Sequence, residues 1–223
     1  MLARPALTDA DRRRFITDHT RLQQPPHAPE IRLHIADEVE SIWRFTEEEL
    51  GAKGLPPPFW AFAWAGGQAL ARYLLDHRDE VAGRSVLDFA SGGGIVAIAA
   101  MMAGARSARA CDLDPFCAAA VALNAQANGV AVAFTGDDLL AAPPPVADVI
   151  LAGDVWYEKP LAERATAWLK QAHERGTRVL LGDPRRSYFP REGLTRLAEY
   201  SVPTTRDLED HELKRTGVWT FAA

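Results

Sequence analysis

Apolar positions along the chain follow two rhythms. Near-continuous apolar runs occur at "RSVLDFA" (84–90), "DVILAGD" (148–154) and "TRVLLGD" (177–183), the pattern of parallel strands covered on both faces. "SARACDL" (107–113) and "VAVAFT" (130–135) read as two further strands. Between these runs the period lengthens to that of helices. "PLAERATAWLKQAHERG" sets Leu161, Ala165, Trp168, Leu169 and Ala172 on one stripe, with Gly176 as a stop. "DPFCAAAVALNAQANG" opens with Asp114 as N-cap and Pro115 at the first helical position, and closes on Asn128 and Gly129. Strand, helix and strand in alternation predict a parallel α/β sheet with right-handed crossovers.

The two ends of the chain break that rhythm. "EYSVPTTRD" and "RTGVWTFAA", joined by the charged "LEDHELK" with no helix between, predict an antiparallel hairpin at one edge. Near the start, the alternating "IRLHIA" (31–36) and the helix-like "SIWRFTEEELG" predict a small N-terminal cap over roughly residues 1–60, ahead of a core over roughly 61–223. "DRRRFIT" superficially matches a twin-arginine export signal, but the polar "DHTRLQQPP" follows it, so it reads as a short polar helix end.

Composition narrows the class. With 223 residues, 48% of them hydrophobic, one domain with one sizeable core is expected. A net charge of -5 without a basic cluster argues against nucleic acid or anionic membrane as partner. The apolar "IVAIAAMMA" is far short of the roughly 18 to 20 residues a membrane span needs. Cys111 and Cys117 lack CxxC spacing and read as reduced, and the six histidines are scattered without ligand spacing, so no metal site is expected. A cytoplasmic protein is expected.

Candidate chemistry lies where the strands end. In an open parallel sheet, ligands bind beyond the carboxyl ends of the strands, near the point where strand order reverses. The predicted strands deliver Asp88, Asp112, Asp137 or Asp138, Asp154 and Asp183 to that rim. Their summed field disfavours a pyrophosphate and favours a cation or neutral hydroxyl and amine donors, as on S-adenosylmethionine. Gly92, Gly94 and Ala97 do satisfy G-x-G-x-x-A, so a nicotinamide-linked oxidoreductase competes. Asp112 suits both readings as a ribose acceptor; Asp88 before the glycines and the lack of chain for a second domain favour the first. Asp112 and Asp114 also spell the D-x-D of metal-dependent sugar transferases, but Asp114 already has a capping role.

The segments "PPPFWAFAWAGGQALARYLLD", "VLDFASGGGIVAIAA", "CDLDPFCAAAVALNAQAN", "LAGDVWYE", "TRVLLGDPRRSYFP", "EYSVPTTRD" and "GVWTF", in this order, resemble a seven-stranded class I methyltransferase. The chain is similar in particular to the electron transfer flavoprotein β-subunit lysine methyltransferases, and more distantly to the ribosomal protein L11 methyltransferases. The resemblance runs from about residue 30 to the end and includes a D-x-x-(F/Y) signature at Asp154 to Tyr157. It implies a Rossmann-like sheet with helices on both faces, S-adenosyl-L-methionine as cofactor, and a protein lysine, on the flavoprotein β subunit, as acceptor. Carried onto this chain, it sets the methionine end of the cofactor near Asp88, Gly92 and Gly94, the ribose on Asp112, the adenine toward Asp138 or Asp137, and Trp64 against the cofactor. Two departures stand out. Ala90 replaces the first loop glycine, which puts left-handed geometry there in question, and Arg185 replaces a glycine after "GDP".

Methyl transfer to an amine is an in-line displacement dominated by positioning. The acceptor lysine must be neutral, and a free carboxylate is too weak a base to hold its proton outright. Asp154 is therefore expected to orient the amine, with Trp156 and Tyr157 lining a lysine channel by cation–π contact or else packing the start of the following helix. A small-molecule amine, or another protein such as a ribosomal protein, is the alternative acceptor. The fourth strand lacks the N-P-P-Y or D-P-P-Y signature of amino-methylating nucleic-acid enzymes.

Overall fold

The structure, a computed structural model, describes residues 7–37, 41–42, 57–204 and 213–222. Most of the predicted "SIWRFTEEELG" helix and residues 208–212 of the "LEDHELK" connection lie outside the described residues. The helices are α1 (Asp9–His19), α2 (Ala65–Asp76), α3 (Ile95–Met102), α4 (Pro115–Ala127) and α5 (Lys159–Glu174). The strands are β1 (Arg21–Gln23), β2 (Leu33–Ile35), β3 (Ser85–Phe89), β4 (Ser107–Cys111), β5 (Ala133–Thr135), β6 (Val149–Gly153), β7 (Arg178–Asp183), β8 (Leu194–Pro203) and β9 (Leu213–Phe221).

A seven-stranded sheet runs β5-β4-β3-β6-β7-β9-β8. Its first five strands are parallel, and β9 pairs antiparallel with both β7 and β8. The expected edge hairpin is present, and its first strand starts earlier than predicted, at Leu194. Strand order reverses between β3 and β6, so the rim above those two is the topological switch point.

The apolar runs divide between the two faces of the sheet because successive side chains alternate. Val86, Leu151 and Leu180 pack with α2 and α3 on one face. Leu87, Ile150, Val179 and Leu181 pack with Ala165, Trp168, Leu169 and Ala172 of α5 on the other. Of the predicted α5 stripe only Leu161 stays half-exposed. A continuous apolar run is therefore what two covered faces require. Among the described residues, no helix is long and apolar enough to cross a membrane.

The helix ends form as the local sequence predicts. Asp114 caps α4, its carboxylate accepting from the Phe116 N–H, with Pro115 next. Gly129 at φ +65° follows α4 and Gly176 at φ +90° follows α5. The N-terminal cap contains an element the sequence did not announce: β1, inside the polar "TRLQQ" stretch, pairs with β2. "DRRRFIT" is part of α1, which turns Phe15 and Ile16 into a third apolar cluster with Trp60 and Phe116. Trp60 and Phe116 stack at 5.6 Å with an interplanar angle of 8°.

Candidate functional site

The turn after β3 is held open from beneath. Asp88 is 1% exposed, and its Oδ2 accepts from the Ala97 N–H at 3.0 Å. Burial pushes its pKa up to about 7, and the nearby Asp112 charge adds to the rise. Ala90 does take a left-handed backbone, φ +54°, so the turn has left-handed geometry there without a glycine. Gly94 sits at φ +81°, and a Cβ there would meet Val121 Cγ2 of α4 at 2.9 Å. Its lack of a side chain thus serves the packing of the turn on α4 as well as any ligand above.

Asp112 closes the turn from the next strand end. One of its oxygens accepts from the Gly92 N–H at 2.9 Å and the other from the Asp114 N–H at 3.1 Å. Leu113, between the two acids, is 64% exposed on the same rim. Cys111 below is a buried free thiol, and burial pushes its pKa up to about 12, so it stays protonated.

Asn124, which the sequence reading passed over, joins this turn to the cap. It is wholly buried in α4, donates to the Gly93 carbonyl at 2.8 Å and accepts from the His34 N–H of β2 at 2.7 Å. An asparagine on the apolar side of a helix was the available signal.

At the end of β5 both candidate acids remain on the rim. Asp138 caps a 3-10 turn through the Leu140 N–H and pairs with Arg164 at 3.2 Å, while Asp137 accepts from the Thr135 hydroxyl at 2.6 Å.

The β6–β7 end has a different chemistry. Asp154 takes φ +58° directly after β6, which turns its carboxylate back over the start of α2. There Oδ2 accepts from the Gly67 N–H at 2.8 Å, and Oδ1 accepts from Arg186 Nε at 3.0 Å and Nη2 at 2.6 Å. The approach is close because glycines meet backbone to backbone: a Cβ on Gly182 would overlap the carbonyl oxygen of Gly66. Asp183, at the end of β7, is wholly buried, and its Oδ1 accepts from the Arg186 N–H at 2.7 Å. Its Oδ2 is buried with no hydrogen-bond partner among the described residues. Burial, helped by the neighbouring Asp154, pushes its pKa up to about 8.

Trp64 caps α2 from outside, donates its indole N–H to the Phe59 carbonyl at 2.9 Å, and lies under the Arg186 guanidinium at 5.6 Å. Phe59 makes edge contacts with both Trp64 and Tyr157, at 5.6 and 5.3 Å. Tyr157 is 45% exposed on this rim, its phenol pushed up chiefly by burial of the hydroxyl end.

Two expectations are corrected here. Trp156 is not a wall of the cleft. It is 0% exposed, packs edge-on against Phe189 at 5.0 Å and donates to Thr166 of α5 at 2.9 Å, because position 156 points into the helix-covered face while 157 points out. Nor is the rim a row of free negative charges. Burial pushes the pKa of Asp88 up to about 7 and that of Asp183 up to about 8, and Asp154 is ion-paired with a guanidinium. Arg186 itself was missed, since "DPRRSYFP" gives no hint which arginine turns inward.

Set against known proteins, residues 68–168 match the ribosomal protein L11 methyltransferase family. The electron transfer flavoprotein beta subunit lysine methyltransferase of Xenopus laevis is 37% identical over 215 residues, spanning 94% of this chain and 86% of that protein. Its counterpart of the same name in Danio rerio is 36% identical over 221 residues, spanning 96% and 84%. Among solved structures, the magnesium protoporphyrin IX methyltransferase of Synechocystis PCC 6803 superposes with a TM-score of 0.52 at 17% identity, over 83% of this chain and 98% of that one, a likeness of fold alone.

Proposed function

The chain belongs to the electron transfer flavoprotein β-subunit lysine methyltransferase family, and from that premise we propose that it transfers methyl groups from S-adenosylmethionine to lysine on the β subunit of electron transfer flavoprotein. The observation that carries the reading is the pair of turns flanking the strand-order reversal: the glycine turn bonded to Asp112 on one side, and the Asp154–Tyr157 turn on the other.

The donor set on the glycine side fits such a cofactor. Each Asp112 oxygen accepts one backbone N–H, which leaves lone pairs for a ribose diol. Leu113 offers an exposed apolar face beside it, and Asp138 or Asp137 is the acceptor for the adenine amine. Asp88 is too deeply buried to be a principal ligand contact; it fixes the turn carrying Gly92 and Gly94 through the Ala97 N–H. When bound, the cofactor supplies an electrophilic methyl group next to this turn.

On the acceptor side, Asp154 and Tyr157 orient the amine, and Trp64 closes the wall between the two ends. A lysine of ordinary pKa, about 10.4, is neutral in roughly one molecule per thousand at about pH 7.4. The chain's task is therefore to receive the amine in a setting that does not hold its proton, and to keep it aligned. The protein works in the cytoplasm in this reading, with no role for nucleic acid or membrane.

Purified flavoprotein subunits and, separately, nicotinamide-like small amines are incubated with the enzyme and labelled cofactor, and modified residues are mapped by mass spectrometry. Label on lysines of the β subunit is the expected result. Label on small amines alone would overturn the protein acceptor.

A further inference from the structure

We infer that the Phe59 ring, in edge contact with both Trp64 and Tyr157, is the wall along which the acceptor lysine lays its methylene stem on the way to the glycine turn, and that it selects a long unbranched alkylamine as the group to be methylated. The inference rests on the function proposed above and names the residue that fits the cleft to lysine.

Phe59 opens a single 3-10 turn, Phe59–Ala61, directly after Pro58. Its backbone is fixed on both sides: its N–H donates to the Pro57 carbonyl at 2.6 Å, and its own carbonyl accepts from the Trp64 indole N–H at 2.9 Å. The turn sends the next ring elsewhere. Trp60 is 3% exposed and stacks on Phe116 in the cap cluster, whereas Phe59 is only half-buried. Core packing therefore accounts for Trp60, and Phe59 keeps part of its surface open beside the half-exposed Tyr157.

The contacts of Phe59 put it where the two ends of the cleft meet. Its ring lies 5.6 Å from Trp64 at 77° and 5.3 Å from Tyr157 at 62°. Among the described residues it is the one ring that touches both. Its carbonyl oxygen is 3.9 Å from where a Cβ on Gly92 would stand, so the segment rests against the glycine turn. A lysine side chain is a flexible four-carbon stem ending in a compact amine. Apolar surface takes up such a stem methylene by methylene, and an aromatic ring also attracts the charged form on entry. Because the gain scales with the area covered, a long linear stem lying along Phe59 and Tyr157 is favoured over a short amine that touches the wall at one point.

The test uses Phe59→Ala, Phe59→Leu and Phe59→Tyr, with methylation of the flavoprotein β subunit followed at saturating cofactor. Phe59→Ala is expected to raise KM about tenfold or more with kcat within about threefold, the pattern of lost ground-state binding. Phe59→Leu keeps apolar bulk without the ring and covers the case in which the alanine variant does not fold; it is expected to raise KM about threefold. Phe59→Tyr is expected to restore the wild-type value, and cofactor affinity by calorimetry to stay within several-fold in all three. An unchanged KM would overturn the inference, and so would a loss of cofactor affinity in step with KM, the mark of a structural role only. If wild-type enzyme leaves the subunit unlabelled, the acceptor assignment fails, and the wall is judged separately by saturation-transfer NMR with n-butylamine and ethylamine. Stronger transfer to n-butylamine in the wild type, lost in Phe59→Ala or Phe59→Leu, upholds the wall; no difference between wild type and variants overturns it.

Discussion

At the glycine-turn end of the rim, Asp88 and Asp112 are held by backbone N–H groups, whereas at the β6–β7 end Asp154 is held by a guanidinium and Asp183 stays protonated. Both ends use an acid at a strand terminus and a left-handed residue just after the strand, Ala90 after β3 and Asp154 after β6. The difference is in the partner. Asp112 takes one backbone N–H on each oxygen and keeps acceptor lone pairs for a hydroxyl-bearing ligand. At Asp154 a guanidinium takes one oxygen twice and the Gly67 N–H takes the other, so both oxygens are engaged from within the fold. Strand-end acids are thus not equivalent, and their partners decide what each can do.

The comparison breaks hardest if the two ends share one scaffold failure. Gly182→Ala forces a side chain against the Gly66 carbonyl, and α2 must move away from β7, so a loss of about 3 kcal/mol is expected in urea unfolding. A near-neutral result would mean the acceptor end is loosely packed. Next, Asp154→Ala should lower methyl transfer roughly 100-fold, as expected when the group that orients the amine is lost and the acceptor is misplaced. Cofactor affinity by calorimetry should stay within several-fold. Equal loss of both would merge the two ends into one functional unit.

Asp112→Ala sharpens the other side. It should weaken cofactor binding by about 1.5 to 3 kcal/mol, roughly 10- to 150-fold, the cost of deleting a charged hydrogen-bond acceptor. Without that loss, Asp112 only holds the Gly92 turn. The smallest effect is on stability against pH. Asp183 has its pKa raised from 3.8 to about 8 in the fold. Its stabilising contribution is full below about pH 4 and is lost as pH rises through about 8, because the folded state binds the proton more tightly. Asp183→Asn keeps an oxygen for the Arg186 N–H and removes the titration. It should melt a few degrees above wild type at about pH 9, the gap narrowing as pH falls and closing below about pH 4. Parallel melting curves across that range would show that Asp183 is not held protonated.

Much of the fold was legible because its signals are local. The runs at β3, β6 and β7, the Asp114–Pro115 cap and the glycines after α4 and α5 act over a few residues, where backbone sterics and alternation decide the outcome. The acids at the strand ends were legible for the same reason. Trp156 was harder, because neighbouring aromatics at the start of a helix differ only in which face each turns to, and that depends on α5 and Phe189 coming in from elsewhere in the chain. β1 was missed since its three residues are polar and exist as a strand only through pairing with β2.

By itself the sequence determined the α/β class, the edge hairpin, the glycine turn and the positions that could carry chemistry, since each depends on short-range backbone preference and hydrophobic alternation. The tertiary structure alone decided how those positions are charged. Asp154 meets Arg186 across 32 residues and Gly67 across 87, and Asn124 reaches Gly93 and His34 across 31 and 90. Burial of Asp88 and Asp183 likewise comes from elements packed over them. Protonation and pairing depend on distance and desolvation in three dimensions, and no local pattern along the chain encodes either.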